Sequence, residues 1–274
     1  MNEGFLKKHA KRTLAYLFLI LASLISIFPL YWSFISAFNN TAEILGGRML
    51  PGTHFAENLK NLFAQQNVGR AMKNSLVNSL LQTFLALLVS SVAGYGFEVY
   101  HDKGKDAVMR ILMLAMMVPF VSVLVPLFQL FSNLKLLNTV VGFVLPGIST
   151  PFLIMFFRNS ARSFPHDIIE AARIDGLNEV QIFARMFVPV MRPTYAAAAT
   201  ITFMNAWNSY LWPKVIMQTN ESTTMPMLVS NLMAGYVIDY GVVMMGVTIC
   251  SLPTIIIFFL LQKSFTESIA GSVK

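Results

Sequence analysis

Six stretches of about twenty residues run almost free of charge: 14–38, 76–97, 111–131, 139–157, 195–216 and 242–261. A bilayer core about 30 Å thick is crossed by roughly 20 mostly apolar helical residues, so each stretch is long enough to span it. Only the fifth is touched by a charge, Lys214, which sits close enough to its end for the aliphatic stem to carry the ammonium to the interface. A soluble domain of this size would need roughly 25 to 35% charged residues at its surface. The chain has 274 residues with 12% charged and 55% hydrophobic. The expected fold class is an all-α membrane protein with six transmembrane helices, organised as a single transmembrane domain over 1–274.

An even number of spans puts both termini on one side, and the basic residues choose it, because short cytoplasmic segments are enriched in Lys and Arg. The start (Lys7, Lys8, Lys11, Arg12), the second loop (Lys103, Lys105, Arg110), the fourth loop (Arg158, Arg162, Arg173, Arg185, Arg192) and the end (Lys263, Lys274) hold 14 of the 20 basic residues. The other side holds Arg48, Lys60, Arg70, Lys73, Lys135 and Lys214. Both termini are therefore expected to be cytoplasmic. The start is similar to a signal peptide, but its apolar run exceeds the 7 to 15 residues of such a segment, and it is read as an uncleaved first span. The net charge of +7 lies in short clusters between apolar runs and forms no stripe, so no nucleic-acid partner is expected. The one cysteine, Cys250, excludes an internal disulfide and a Cys-based zinc site, and no metal site is expected.

What the spans contain narrows the function. Every Asp, Glu, Arg and His falls outside the apolar cores. A proton-coupled carrier usually places an ionisable group at membrane depth, so that class is disfavoured, while sodium coupling through carbonyls and hydroxyls stays open. Neutral polar residues are present instead: Asn78, Gln82 and Thr83, then Gln129, Ser149 and Thr150, then Asn205, Asn208 and Ser209. Buried amides need partners, either as glue between helices or along a wet cavity. On a continuous helix, Asn205, Asn208 and Trp212 would share one face by i, i+3, i+7 spacing, with Trp207 beside them. Amides next to flat rings suit a neutral polyhydroxylated solute; an interfacial aromatic belt accounts for the rings equally well. Pro119, Pro126, Pro146 and Pro151 are expected to break the third and fourth spans.

The fourth loop, 158–193, has the punctuation of two short helices. Ser163 can cap the first, Pro165 fits its first turn, Asp167 complements the dipole and Gly176 can end it in the left-handed conformation. Asn178 can cap the second, with Val180, Phe183 and Phe187 on one face and Pro189 stopping it. The pattern suits a docking surface for a soluble partner or a simple interfacial helix.

Glu170-Ala171-Ala172, three residues, Gly176, nine residues, then Met186-Phe187-Val188-Pro189 resembles the EAA loop of ATP-binding-cassette (ABC) importer permeases, with Met186 and Val188 where Ile and Leu are usual. Asn74-Ser75, Leu137-Asn138-Thr139, the run from Glu170 to Gly176 including Asp175, Trp207-Asn208, Trp212-Pro213 and the ending from Ala270 to Lys274 are similar to the carbohydrate-uptake branch, in particular the smaller membrane subunit of the maltose importer. The resemblance covers essentially the whole chain. It implies the type I ABC importer permease fold, a prokaryotic cytoplasmic (inner) membrane and a second homologous permease subunit. Two cytoplasmic ATPase subunits that hold ATP and Mg, and an extracytoplasmic solute-binding protein, complete the implied assembly. This chain would bind no cofactor and carry no catalytic residue. Its ATPase-coupling residues would be Glu170, Ala171, Ala172, Asp175, Gly176 and Pro189, and residues 218–241 would reach the binding protein. Consistent with that division, the chain has no G-x4-G-K-[ST]: the only Gly-Lys pair, Gly104-Lys105, has Val99 where the first Gly belongs.

Rival readings are an ABC permease for an amino acid or peptide, a sodium-driven secondary carrier, and a membrane enzyme using His166 and Asp167 at the cytoplasmic edge. The neutral amides and aromatics favour sugar.

Overall fold

The computed structural model describes residues 3–271, and for residues 3–8, 10 and 263–271 it describes the backbone alone. The side chains of Lys7, Lys8 and Lys263 and the final residues 272–274, which carry part of the expected basic bias and tail motif, lie outside the described residues. Every regular element among the described residues is helical. The chain forms two compact units, one from residues 1–67 and 229–250, the other from 68–228 and 251–274.

The first unit contains α1 (Glu3–Ser36), α2 (Thr41–Leu45), α3 (Phe55–Gln65) and the start of the last helix. Before its last two residues, Ile35 and Ser36, α1 is not buried by protein over 11–34, and its outward Leu, Ile and Phe side chains are those of a helix solvated by lipid. The turn that follows is fixed by amides: Asn40 and Glu43 form a reciprocal capping box on α2, and Asn58 Nδ2 donates to the carbonyls of Ala37 and Asn39, each at 3.0 Å. Thr248 Oγ1 donates to Ser33 O at 3.1 Å, tying the last helix to α1.

The second unit is built around α4 (Val68–Val99). After it come α5 (Lys103–Ala115), α6 (Phe120–Asn133), α7 (Val140–Val144) with a 3-10 turn Leu145–Gly147, and α8 (Pro151–Ala161). The fourth loop supplies α9 (His166–Ile174), α10 (Glu179–Ile182), a π turn (Phe183–Phe187) and α11 (Val188–Val190). Then follow α12 (Arg192–Trp207), α13 (Leu211–Ile216), and α14 (Met225–Leu232) and α15 (Tyr240–Gly271), each of which has residues in both units. α4 packs along α8 and α12. Gly94 makes the first of these contacts possible: a Cβ there would lie 2.6 Å from Phe157 Cβ and 2.7 Å from the backbone nitrogen of Arg158.

Three expected spans are not single helices. α5 and α6 meet at 99° and α5 starts well before residue 111, because Pro119 forces an extended conformation that ends the turn at 116–118. The α7 segment and α8 meet at 50°, where Pro146 and Pro151 flank an extended Thr150. The expected 195–216 helix stops at Trp207 and restarts at Leu211. Pro126, by contrast, sits inside α6 without ending it. Among the described residues three helices are long and apolar enough to cross a membrane, Lys11–Ser36, Val68–Val99 and Tyr240–Gln262, and up to five spans result if each bent pair is one.

Candidate functional site

The fourth loop is held from below by an aromatic cluster. Tyr95 of α4, Phe164, Ile169, Ala172, Ile182 and Phe187 are buried together. Tyr95 meets Phe183 and Phe187 edge-on at centroid distances of 5.3 and 4.9 Å, and Phe164 meets Phe187 at 5.5 Å. α9 ends as its sequence requires: Gly176 has φ +81°, its N–H donates to Arg173 O at 3.1 Å, and the Leu177 N–H donates to Ala172 O at 3.0 Å. Those two bonds are the Schellman pattern, which satisfies the last carbonyls of the helix. Asn178 then opens α10 with a capping box shared with Gln181.

Two local expectations need correction. Ser163 does not cap α9; its hydroxyl donates back to Ser160 O at 2.7 Å, and Pro165 takes the cap position. Pro189 does not stop the second helix. A proline nitrogen cannot bond back to Arg185, and the chain widens instead into a π turn in which the Val188 N–H donates to Phe183 O, so the helical path continues to Val190. The buried residue of α10 is Ile182, while Val180 faces out.

The opposite side of the loop is open. Glu170, Ala171, Asp175 and Gly176 are exposed, Ile174 is 86% exposed and Val180 76%. Ala172 alone of the Ala pair is buried, facing the aromatic cluster. Arg173 Nε donates to Glu179 Oε1 at 2.8 Å across the turn. That hydrogen bond, joined by Tyr100, holds the Glu179 carboxyl below its ordinary range, while partial burial and the neighbouring Glu179 push the Tyr100 hydroxyl up.

One feature of this end escaped the sequence. Arg158 reads there as one more basic loop residue, but its side chain is 6% exposed and forks to two carboxylates, Nε to Glu98 Oε2 at 3.1 Å and Nη2 to Asp106 Oδ1 at 2.6 Å. Arg162 Nε reaches the same Glu98 oxygen at 3.3 Å. The fork ties the ends of α4, α5 and α8. The signal available in sequence was position: a guanidinium directly after an apolar run must find partners or leave it.

The expected solute face is not one face. Trp207 is 1% exposed and stacked on Phe203 at 5.8 Å. Trp212 is 5% exposed, packs edge-on against Phe131 at 5.1 Å, and donates its indole N–H to Gly142 O at 3.0 Å. The interruption at 208–210 shifts the helical phase, so the i, i+7 relation of Asn205 and Trp212 is lost. Asn205 and Asn208 are exposed, the latter capping α12.

Comparison with known proteins places these features in a family. Residues 86–270 match the family described as binding-protein-dependent transport system inner membrane component. The chain is 42% identical over 269 residues to the lactose transport system permease protein LacG of Rhizobium radiobacter, covering 98% of each chain. It is 34% identical over 264 residues to the arabinooligosaccharides transport system permease protein AraQ of Bacillus subtilis, covering 94% of each. A solved bacterial ABC transporter involved in the import of the acidic polysaccharide alginate contains a chain of the same fold, with a TM-score of 0.82 at 19% identity over 94% of this chain and 98% of that one. This chain therefore belongs to the binding-protein-dependent transport system inner membrane components, multi-pass proteins that work as the permease part of ABC transporters.

Proposed function

We propose that the chain is one membrane-spanning subunit of an ATP-driven importer that moves a mono- or oligosaccharide delivered by an extracytoplasmic binding protein. The observation that carries the solute class is the end-to-end likeness to permeases named for lactose and arabinooligosaccharides. The six-span reading takes α1, α4 and α15 as continuous spans, the two bent pairs as one each, and α12 with α13 as the interrupted sixth, with both termini cytoplasmic. A second homologous permease and two ATPase subunits, which hold the nucleotide and Mg, complete the membrane assembly.

In this reading α9 is the coupling helix. Glu170, Ala171, Asp175 and Gly176 meet the ATPase with Ile174 and Val180, and Ala172 with the buried aromatics anchors the helix from behind. Pro189 contributes through the π turn that seats Phe187. Closure of the ATPase pair moves α9, and the attached helices exchange inward-open and outward-open arrangements. Asn205 and Asn208 offer amides to the solute path, with Trp207 and Trp212 as its packed support.

The test is purification of the tagged chain from its native membrane in mild detergent, followed by reconstitution with the binding protein and a lactose uptake assay. A second polytopic chain and an ATPase should accompany it, and uptake should require ATP. A chain that comes out alone and accumulates solute under a sodium gradient would refute the proposal. So would a binding protein that holds an amino acid and no saccharide.

A further inference from the structure

Asn74, Asn138 and Thr139 have no part in the coupling loop or the α12 path, yet the second unit brings them together at one end of α4. Asn138, in the left-handed conformation at φ +58°, turns its Oδ1 to accept from the backbone N–H of Gln218 and of Thr219 (3.1 Å) and from Ser222 Oγ (3.0 Å). Asn74 Nδ2 donates to the carbonyls of Glu221 at 2.7 Å and Thr223 at 2.9 Å, and Ser75 Oγ accepts from the Met225 N–H at 2.8 Å. This clasp holds the 217–225 segment over a cavity of about 130 Å³ whose lining includes Asn74, Asn78, Thr139, Val140, Glu221 and Ser222.

Asn78 gives the cavity a purpose. Its side chain is 3% exposed, and its Oδ1 has no hydrogen-bond partner among the described residues. A buried amide oxygen left unpaired is costly and calls for an explanation in a native fold. A donor seated in the cavity would supply it. An enclosed cavity of roughly 150 Å³ takes benzene; this one is of similar volume but open on one side, so a sugar ring would enter with part of its hydroxyl rim left at the opening. Amides and hydroxyls both donate and accept, as adjacent ring hydroxyls require. No Lys or Arg is among the lining residues, and Glu221 is balanced by Arg70 at 3.8 Å, so the cavity offers no unbalanced cation to an anion.

We propose that this cavity is a subsite for one ring of a neutral saccharide, with Asn78 Oδ1 accepting from a ring hydroxyl and the Asn74–Asn138 clasp forming its roof. The proposal rests on the sugar-import reading and narrows it, since acidic and phosphorylated sugars would be refused.

The test uses the full assembly in proteoliposomes with its binding protein. Lactose uptake and the ATP hydrolysis stimulated by sugar-loaded binding protein are measured in the same vesicles. N78L removes the acceptor at similar volume, and V140F fills the cavity from the other wall. Each should lower lactose moved per ATP hydrolysed about tenfold, a change of about 1.4 kcal/mol, while hydrolysis stays stimulated. The wild type should carry lactose in preference to its analogue with a carboxylate at C6 of each ring, and equal uptake of the two would overturn the neutral-ring assignment. A wild-type ratio in either assembled variant would mean that the cavity holds only water and would overturn the proposal. Parallel loss of uptake and stimulated hydrolysis would do the same, because it marks a docking or coupling defect. Should N78L fail to assemble, V140F decides. If the wild type moves no saccharide but another solute, the import reading itself falls and takes the subsite with it.

Discussion

Replacing Arg158 by Leu isolates what the buried fork contributes. The substitution keeps an apolar stem in the space between α4, α5 and α8 and removes both hydrogen bonds, to Glu98 at 3.1 Å and Asp106 at 2.6 Å. Glu98, with its side chain 16% exposed, is then left with Arg162, whose side chain is 58% exposed and which holds the same oxygen at 3.3 Å. Breaking a buried pair by removing one partner costs about 3–5 kcal/mol, and an exposed pair such as Arg162–Glu98 returns no more than about 1 kcal/mol. Both facts point to the low end, a loss of about 3 kcal/mol. R158K should lose roughly half of that, since an ammonium keeps the charge but cannot fork to two carboxylates with fixed geometry. R158L/E98Q should recover much of the loss, because the cost of R158L is the stranded carboxylate more than the missing bond. The assay is SDS-driven unfolding of the detergent-solubilised chain followed by tryptophan fluorescence. A loss under about 1 kcal/mol for R158L would refute the reasoning, as would a double variant no more stable than R158L.

Four further outcomes test the loop and its surroundings. G176V places a β-branched residue at φ +81° and should cost about 1–2 kcal/mol locally, read as loss of binding-protein-stimulated ATPase in an assembly that still forms; unchanged stimulation would show the left-handed turn to be dispensable. E170K should insert normally and abolish transport, so uptake near wild type would return Glu170 to the status of a solvated helix charge. W212F leaves Gly142 O without the indole donor and should destabilise the chain by about 1–3 kcal/mol in the same unfolding assay; a change below about 0.5 kcal/mol would mean that the carbonyl finds another partner. Glu179 is held below its ordinary range by the hydrogen bond from Arg173, so its stabilisation is complete above the unfolded carboxylate range near pH 4–5 and fades as pH falls through it. E179Q should flatten part of that acid slope, and an identical pH profile for E179Q and wild type would contradict the assignment.

Much of this was legible in the sequence because the signals are local. An apolar run free of charge, a Gly after a short amphipathic stretch and an Asn three residues before Gln181 each act within one or two turns, and the α1, α4 and α15 spans, the Schellman end at Gly176 and the Asn178 cap all form. What escaped depends on partners far along the chain or on phase. The burial of Arg158 needs Glu98 and Asp106, which lie 60 and 52 residues away. The shared face of Asn205 and Trp212 assumed an uninterrupted helix, and three residues out of register were enough to turn Trp212 toward Phe131 and Gly142 O. Proline was ambiguous for the same reason. Pro119 caps α6 and Pro126 sits inside it, although both are prolines within an apolar run, because the cost of a missing N–H depends on whether a neighbouring turn can widen or end there.

The proposed coupling role of the loop sets a mechanical requirement that its packing meets. A contact at Glu170 or Ile174 is borne by Ile169 and Ala172, which rest on Phe187 and Tyr95, and Tyr95 belongs to α4 itself. Close-packed aromatic contacts of this kind have low compressibility, so displacement of α9 is passed on to α4 and not absorbed. The continuous helix is broken elsewhere in the same unit, at the 99° and 50° bends and the 208–210 interruption. In the coupling reading proposed above, a stiff junction beneath α9, with breaks in the helices beyond it, would let a push applied at one helix end change the angles between segments without melting any of them.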